Sequence, residues 1–385
     1  MNFFIARQPI FNKNESIFGY KLFYSPFAAV IDGEGVEKDS PLDNIMSIGK
    51  QTLSSGKKII INFSSSLLQN NFLYLKDTFV LVTANNNGDP FKVCRELKRT
   101  GYSIALDFRC LENQEYIINH CDLIVVDFTD ENAEYYCGEL TKYYNPKVLA
   151  DNIFTRKIYD KAVLSGCTYF NGEYFKLPLV DGKKPLSGNR YIYIELLKAV
   201  NTPNPDFEEI EDLIKKDVTI TYSLLKYINS GAFYFVNEIT SVQQTLALLG
   251  QKGTVKWLSW IVLSVMSQKK PGEIITLSLI RAIFSEEIAE LIGYINSFHF
   301  FIMGMFSFLD IMLDCPMEEV LKEIPISKEI KDALLGIDNE YKIIYDLVCF
   351  YEQGNFQKVL EITESFNLAP QEITGAYIKA LNGVL

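Results

Sequence analysis

Four apolar runs in the first half of the chain close on an oxygen-bearing residue, and this pattern restricts the fold more than any other feature. The runs are IIIN, IALD, IVVD and VLAD, and they end on Asn62, Asp107, Asp127 and Asp151. Unbroken apolar runs of this kind suit strands buried on both faces, as in a parallel sheet covered by helices. Strand-like stretches at 58–63, 79–83, 103–106, 123–127 and 148–150 alternate with amphipathic helical ones such as 89–99 and 132–143. Repeated βα units predict an α/β architecture, either a closed barrel or a doubly wound sheet. Ahead of them, residues 3–7 and 16–24 read as a hairpin across the turn-rich Asn12-Lys13-Asn14. Polar residues at the C-terminal ends of parallel strands are where such folds build sites. The same Asp and Asn residues also suit the N-caps of the following helices, and both readings stand on the sequence.

Beyond residue 190 the pattern becomes helical throughout. Residues 213–250 read as three short helices with clear punctuation. The first ends at Lys215-Lys216, where cations favour the negative end of a helix dipole. Asp217 caps the second, whose apolar face is Ile220, Leu224, Leu225 and Ile228. Asn229-Ser230-Gly231 stops it through residues that tolerate a left-handed conformation. Ser241 opens the third, with Gln244 placed for a capping box, and Gly250 ends it. Helices this short need one another to be stable in water. Further helices are expected at 191–200, 255–266, 275–292, 317–323, 328–335, 340–352, 357–365 and 371–381, the last two-helix hairpin turning at Gly354-Asn355. The apolar stretch 291–309 approaches the length of a membrane span, but polar groups interrupt it and no basic flank follows. It is expected to be a buried core helix, or two helices broken near Asn296.

Two domains are expected, 1–185 α/β and 186–385 all-α, divided by the polar Gly- and Pro-containing segment 181–188. The net charge of −11 argues against nucleic acid and anionic membrane surfaces as partners. Seven cysteines without a CxxC spacing read as small buried hydrophobes of a reducing compartment. The opening MNFFIARQPIF lacks the charged region and long apolar core of a signal peptide, so a cytoplasmic location is expected. His120 and His299 are the only histidines, too few for a histidine-based metal centre. No Ser or Cys has a His partner for a triad. Gly33 and Gly35 match no phosphate loop, and residues 85–88 read as a turn.

The ordered elements Lys216-Asp217, Leu224-Leu225, Asn229-Ser230, a Phe-Tyr loop, Ile239-Thr240-Ser241 and Leu249-Gly250 resemble an HDOD domain, a relative of HD phosphohydrolases without their metal site. From ARQPIF to Pro178 the chain resembles the EAL domain, the β/α barrel that hydrolyses cyclic di-GMP with two metal ions. Phrases such as RAIFSEEIAE, FSFLDIML and YEQGNF resemble the tail of EAL–HDOD (YuxH-like) signal-transduction proteins.

Carried over position by position, the resemblance implies a depleted EAL site. GYKLFYS, residues 19–25, stands at the signature motif, with Lys21 at its metal-binding Glu and Ser25 at its ligand-binding Arg. Asn62 is kept, and Val82 stands at the next Glu. Asp107 is kept and its pair is Phe108. Val125 replaces the catalytic Lys while Asp127 is kept. Asp151 and Phe154 stand at two Glu residues, and Asn171 at a Gln, followed by Gly172. An ammonium offers only donors and a like charge to a divalent cation, and Ser25 cannot make the bidentate contact of an Arg.

The expectation is therefore a non-catalytic regulator with no cofactor and no metal, acting through protein partners. Self-association remains open, and cyclic di-GMP is at best a weak ligand. Lys21 is expected to lie among Asp107, Asp127 and Asp151 in place of a metal's charge. Asn229, Ser230, Phe233 and Tyr234 are the candidate interaction surface. The barrel is expected to be trimmed, because the span from Lys21 to Asn171 is short for the family.

Overall fold

In a computed structural model, the described residues are 2–31, 48–62, 78–84, 89–111, 115–144, 146–177, 190–202, 204–230, 233, 238–267 and 270–384. The segment 181–188, residues 85–88, Gly33, Gly35, Tyr234 and Phe235 lie outside them. The chain forms two compact units, residues 1–177 with 346–385 and residues 178–345. The first unit thus takes in the last 40 residues (346 to 385 inclusive), which the sequence groups with the helical half.

Unit one is a closed barrel of eight strands in sequential order. They are β1 (Phe3–Asn12), β2 (Ile17–Pro26), β3 (Lys58–Asn62), β4 (Thr78–Val82), β5 (Ser103–Asp107), β6 (Leu123–Asp127), β7 (Val148–Ile153) and β8 (Tyr169–Gly172). β1 runs antiparallel to both β2 and β8, and every other pair is parallel. The barrel alternative is therefore the right one. Its helices are α1 (Phe27–Ile31), α2 (Lys50–Ser54), α3 (Pro90–Arg99), α4 (Ala133–Tyr143) and α5 (Arg156–Leu164). Between β5 and β6 the described chain forms only 3-10 turns, Phe108–Leu111 and Glu115–His120.

The hairpin turn is held as expected, by Asn12 Oδ1 accepting from the Asn14 and Ser16 amides at 2.9 and 3.1 Å. The short helices α1 and α2 escape the sequence pattern, and so do β8 and α5. β8 has four residues and ends Asn-Gly, which reads as a turn. α5 has a Thr155 cap donated to by the Ile158 amide, but its apolar face is narrow.

Side-chain alternation decides what the barrel encloses. Ile10, Ile60, Phe79, Leu81, Ala105, Leu123, Val125 and Leu149 fill it, with Phe18 and Tyr169 packed against them. Two residues beyond Ile60, Ala105, Val125 and Leu149 come Asn62, Asp107, Asp127 and Asp151. The strand period of two puts these residues on the same inner face, one layer nearer the C-terminal mouth. Lys21 pairs with Ile60 in register and so belongs to that face too.

The C-terminal helices α15 (Glu340–Glu352), α16 (Phe356–Glu364) and α17 (Pro370–Asn382) bring residues 346–385 onto β1. Thr374 Oγ1 donates to the Phe3 carbonyl at 3.1 Å, and the Arg7 amide donates to Tyr377 Oη at 3.3 Å. Phe4 stacks on Phe356 at 4.9 Å. The hairpin turns at Gly354, φ 72°, where a Cβ would lie 2.7 Å from Phe23, so only glycine fits.

Unit two is helical, and its numbering runs between that of α5 and α15: α6 (Arg190–Val200), α7 (Phe207–Lys215), α8 (Val218–Ile228), α9 (Val242–Met266), α10 (Glu273–Ile292), α11 (Ser297–Phe306), α12 (Leu309–Leu313), α13 (Met317–Glu323) and α14 (Lys328–Leu334). Asp217 caps α8 by accepting from the Thr219 and Ile220 amides at 2.8 and 3.0 Å. Ser241 caps α9 by accepting from the Gln244 amide at 3.1 Å. Gly250, at φ 63° and ψ −177°, breaks α9, which continues to Met266. The apolar stretch 291–309 is divided by Gly293, whose left-handed φ of 92° ends α10 before α11 begins. α10 and α11 cross closely at Gly304, where a Cβ would lie 2.5 Å from the Arg281 carbonyl oxygen. Among the described residues no single helix is long and apolar enough to cross a membrane.

Candidate functional site

The barrel mouth gathers the charged residues that alternation turned inward. Lys21 Nζ donates to Asp151 Oδ2 at 2.5 Å, with side chains 16% and 9% exposed. In so dry a setting an ion pair is held firmly, because water competes weakly for either charge. Asp151 Oδ1 is buried and has no hydrogen-bond partner among the described residues, and the same holds for Asn171 Oδ1. The Asn171 amide nitrogen donates to the Pro9 carbonyl at 2.9 Å.

The lysine does not serve all three aspartates, which corrects the expectation. Asp107 has its own cation, Arg109, whose Nη2 lies 2.5 Å from Oδ2 and whose Nε lies 3.0 Å from Oδ1. The Arg109 amide donates to the same carboxylate at 2.9 Å. Asp127 accepts from the Thr129 amide at 2.9 Å and the Thr129 hydroxyl at 2.8 Å. Burial raises the Asp127 carboxyl, but hydrogen bonds from Thr129 and from the Asn152 side chain outweigh it and hold it below the usual range. The capping reading thus holds for Asp107, which opens the 3-10 turn Phe108–Leu111, but not for Asp127, which closes a turn at Thr129 while Asn132 precedes α4; both also face the mouth.

Arg109 and Asn152 were not singled out in the sequence. Arg109 carries the signal Asp-X-Arg at a strand end. Asn152 sits in a bulge of β7 between Ala150 and Ile153, at φ 59°, a conformation Asn tolerates. Bulges re-aim side chains next to sites, and here the bulge turns Asn152 to Asp127. Gly172 makes it feasible: at φ 145° a Cβ would lie 2.2 Å from the Ile153 carbonyl oxygen.

The remaining positions are dispersed. Ser25 Oγ donates to the Pro26 carbonyl at 3.5 Å. Ser25, Asn62 and Phe23 line a hollow of about 310 Å³, with Gly354, Asn355 and Gln357 among its other walls. Phe23 also lies under Lys21, its ring centre 5.7 Å from Nζ. Phe108 stacks on Tyr136 at 4.4 Å, Val82 is fully buried and Phe154 is half exposed. Val125 is part of the apolar filling.

These residues do not fit a divalent cation. The Lys21 ammonium is seated on Asp151, Arg109 is seated on Asp107, and a cation cannot share those oxygens with two positive groups. Among the described residues no three His, Cys, Asp or Glu side chains are grouped to hold a metal.

In the helical unit Asn229 is at φ −90°, not left-handed, so it ends α8 by another route. Its Nδ2 donates to the carbonyls of Leu225 and Ile239 at 2.8 and 2.7 Å, and its Oδ1 accepts from the Ile239 amide at 2.8 Å. The side chain clasps the following loop onto the helix. Phe233 donates its amide to Ser230 at 3.1 Å and meets Tyr227 edge-on at 5.1 Å, while Tyr234 lies outside the described residues. Exposed apolar groups the sequence reading passed over are Val218 and Tyr222, 82% and 64% exposed and four apart on α8. His299 Nδ1 pairs with Tyr341 Oη at 3.2 Å, and His120 lies edge-on to Phe91 at 5.3 Å.

Comparison with known proteins bears on both units. The HDOD domain model matches residues 189–331. The chain is 30% identical over 407 aligned positions to the uncharacterized protein YuxH of Bacillus subtilis (strain 168), covering 99% of this chain and 98% of that one. It is 28% identical to the cyclic di-GMP phosphodiesterase CdgJ of Vibrio cholerae, over 92% of this chain and 86% of that one. Among solved structures, an EAL domain protein from Listeria monocytogenes EGD-e is similar at 13% identity and a TM-score of 0.35, over 45% of this chain and 87% of that one. The FimX EAL domain from Pseudomonas aeruginosa, bound to c-di-GMP, is similar at 13% identity and a TM-score of 0.36, over 45% of this chain and 89% of that one. With an HDOD match in its helical half and a YuxH relative aligned end to end, the chain belongs to the YuxH-like family of EAL–HDOD signal-transduction proteins.

Proposed function

We propose that this chain is a non-catalytic regulator in cyclic di-GMP-type signalling that acts through protein–protein contact. The observation that carries the reading is the Lys21 ammonium 2.5 Å from Asp151. Metal-assisted hydrolysis needs oxygen ligands free to hold a cation that activates water. Here the β7 carboxylate already carries a lysine and the β5 carboxylate an arginine. Val125 lies in the apolar filling, so its strand brings no ammonium to a transferring phosphate, where electrostatic stabilisation is most of the catalysis. In the helical unit, the exposed Val218 and Tyr222 suit an interface better than a solvated face. On this reading the barrel is a scaffold without cofactor, and the partner is another protein, a second copy included.

A second reading has one observation in its favour, the cyclic di-GMP phosphodiesterase among the relatives. It would have this chain bind cyclic di-GMP, with or without turnover. Calorimetric titration with cyclic di-GMP, with and without magnesium, combined with chromatography for the linear dinucleotide, separates the two. Neither heat nor product is the expected result. Binding without product would make the chain a receptor, and magnesium-dependent product would overturn the proposal.

A further inference from the structure

Within the helical unit, the ends of four helices leave a hollow of about 700 Å³, inside the ~300–1,000 Å³ range of small-molecule sites. Its apolar lining includes Val200, Val255, Phe298, Ile302, Ile326 and Ile330, with Thr202 and Ser327 among the polar residues. Val200, Val255, Ile302 and Ile330 are only 1%, 5%, 3% and 2% exposed. Walls so little open to solvent are reached by a slender ligand, whereas the broad face of a protein would meet only the rim. The break of α9 at Gly250 puts Gln251 and Lys252 at that rim. Lys252 is exposed, and among the described residues it has no carboxylate partner. Of the other lining residues, His299 has its Nδ1 occupied by Tyr341, and Asn201 gives its Nδ2 to the Leu197 carbonyl at 2.8 Å.

An apolar slot with one unpaired cation at its mouth is complementary to a chain that is apolar along its length and anionic at one end. We propose that the helical unit holds a binding site for a medium-chain aliphatic carboxylate, its alkyl chain between Val255, Ile302 and Ile330 and its carboxylate at Lys252. The site is independent of the barrel mouth and of the protein-contact reading.

Titration calorimetry on the full chain with hexanoate, octanoate, decanoate and decanol tests it. Each added methylene should tighten binding about threefold to fourfold until the slot is filled, from the ~0.8 kcal/mol that a buried CH₂ contributes. Lys252→Glu should weaken decanoate by about tenfold or more and leave decanol within twofold, since only the carboxylate meets that charge. Ile326→Trp, at a half-buried wall position, should abolish both, with its circular dichroism and melting temperature unchanged. Lack of binding by every probe overturns the proposal. So does binding that survives Ile326→Trp, or a decanoate affinity that Lys252→Glu leaves unaltered.

Discussion

Replacing Lys21 by Met keeps most of the aliphatic stem and removes the charge. Asp151 would then sit with its side chain 9% exposed, its Oδ2 stripped of the ammonium and its Oδ1 already without a described partner. Breaking a buried ion pair by deleting one member costs about 3–5 kcal/mol, because the survivor stays buried and uncompensated. The 16% exposure of Lys21 lets some water reach the site, so the lower end, about 3 kcal/mol, is expected. A double variant, Lys21→Met with Asp151→Asn, carries no stranded charge and should recover about 2 kcal/mol of that loss. The assay is urea-dependent hydrogen exchange of β2 and β7, which reads the barrel directly. Trp257 and Trp260 both lie on α9, so tryptophan fluorescence follows the helical unit separately. A Lys21→Met loss below about 1 kcal/mol, typical of a solvated surface pair, would refute the reasoning. A double variant no more stable than the single one would refute it equally.

Other expectations follow from single contacts. Asn229→Ala removes three hydrogen bonds to backbone and should cost about 2–3 kcal/mol at roughly 1 kcal/mol each, read from the tryptophan transition in urea. Gly304→Ala puts a Cβ 2.5 Å from the Arg281 carbonyl oxygen; the forced separation of α10 and α11 should cost about 1–3 kcal/mol or more, seen as a lower calorimetric melting temperature. Asp127 titrates below the usual carboxylate range, so its contribution is present above the unfolded-state pKa and lost as pH falls through the lower folded value. Asp127→Asn should therefore flatten the acid limb of stability against pH, measured by urea unfolding, and leave its slope near neutrality unchanged.

Much of this architecture was legible before any coordinates. Capping residues act within a few positions of themselves, so Asp217, Ser241 and Gly250 could be assigned their places from local chemistry alone. The inward set was legible for a related reason: a strand's period of two ties Asn62, Asp107, Asp127 and Asp151 to the apolar positions before them. β8 was missed because four residues ending in Asn-Gly carry too short a pattern to separate strand from turn.

What the sequence determined by itself was therefore whatever depends on near neighbours: βα alternation, the helical second half, and a lysine on the face that carries carboxylates. Tertiary structure alone decided that Lys21 answers Asp151 and neither of the other two carboxylates, which find partners two residues away. Lys21 and Asp151 are 130 positions apart, and closure of the barrel brings them together while Asp107 is taken by Arg109 and Asp127 by Thr129 and Asn152. It likewise decided that residues 346–385 belong with the barrel, because Tyr377 and Thr374 find their partners at Arg7 and Phe3. Such pairings depend on chain closure over hundreds of residues, and no local periodicity records them.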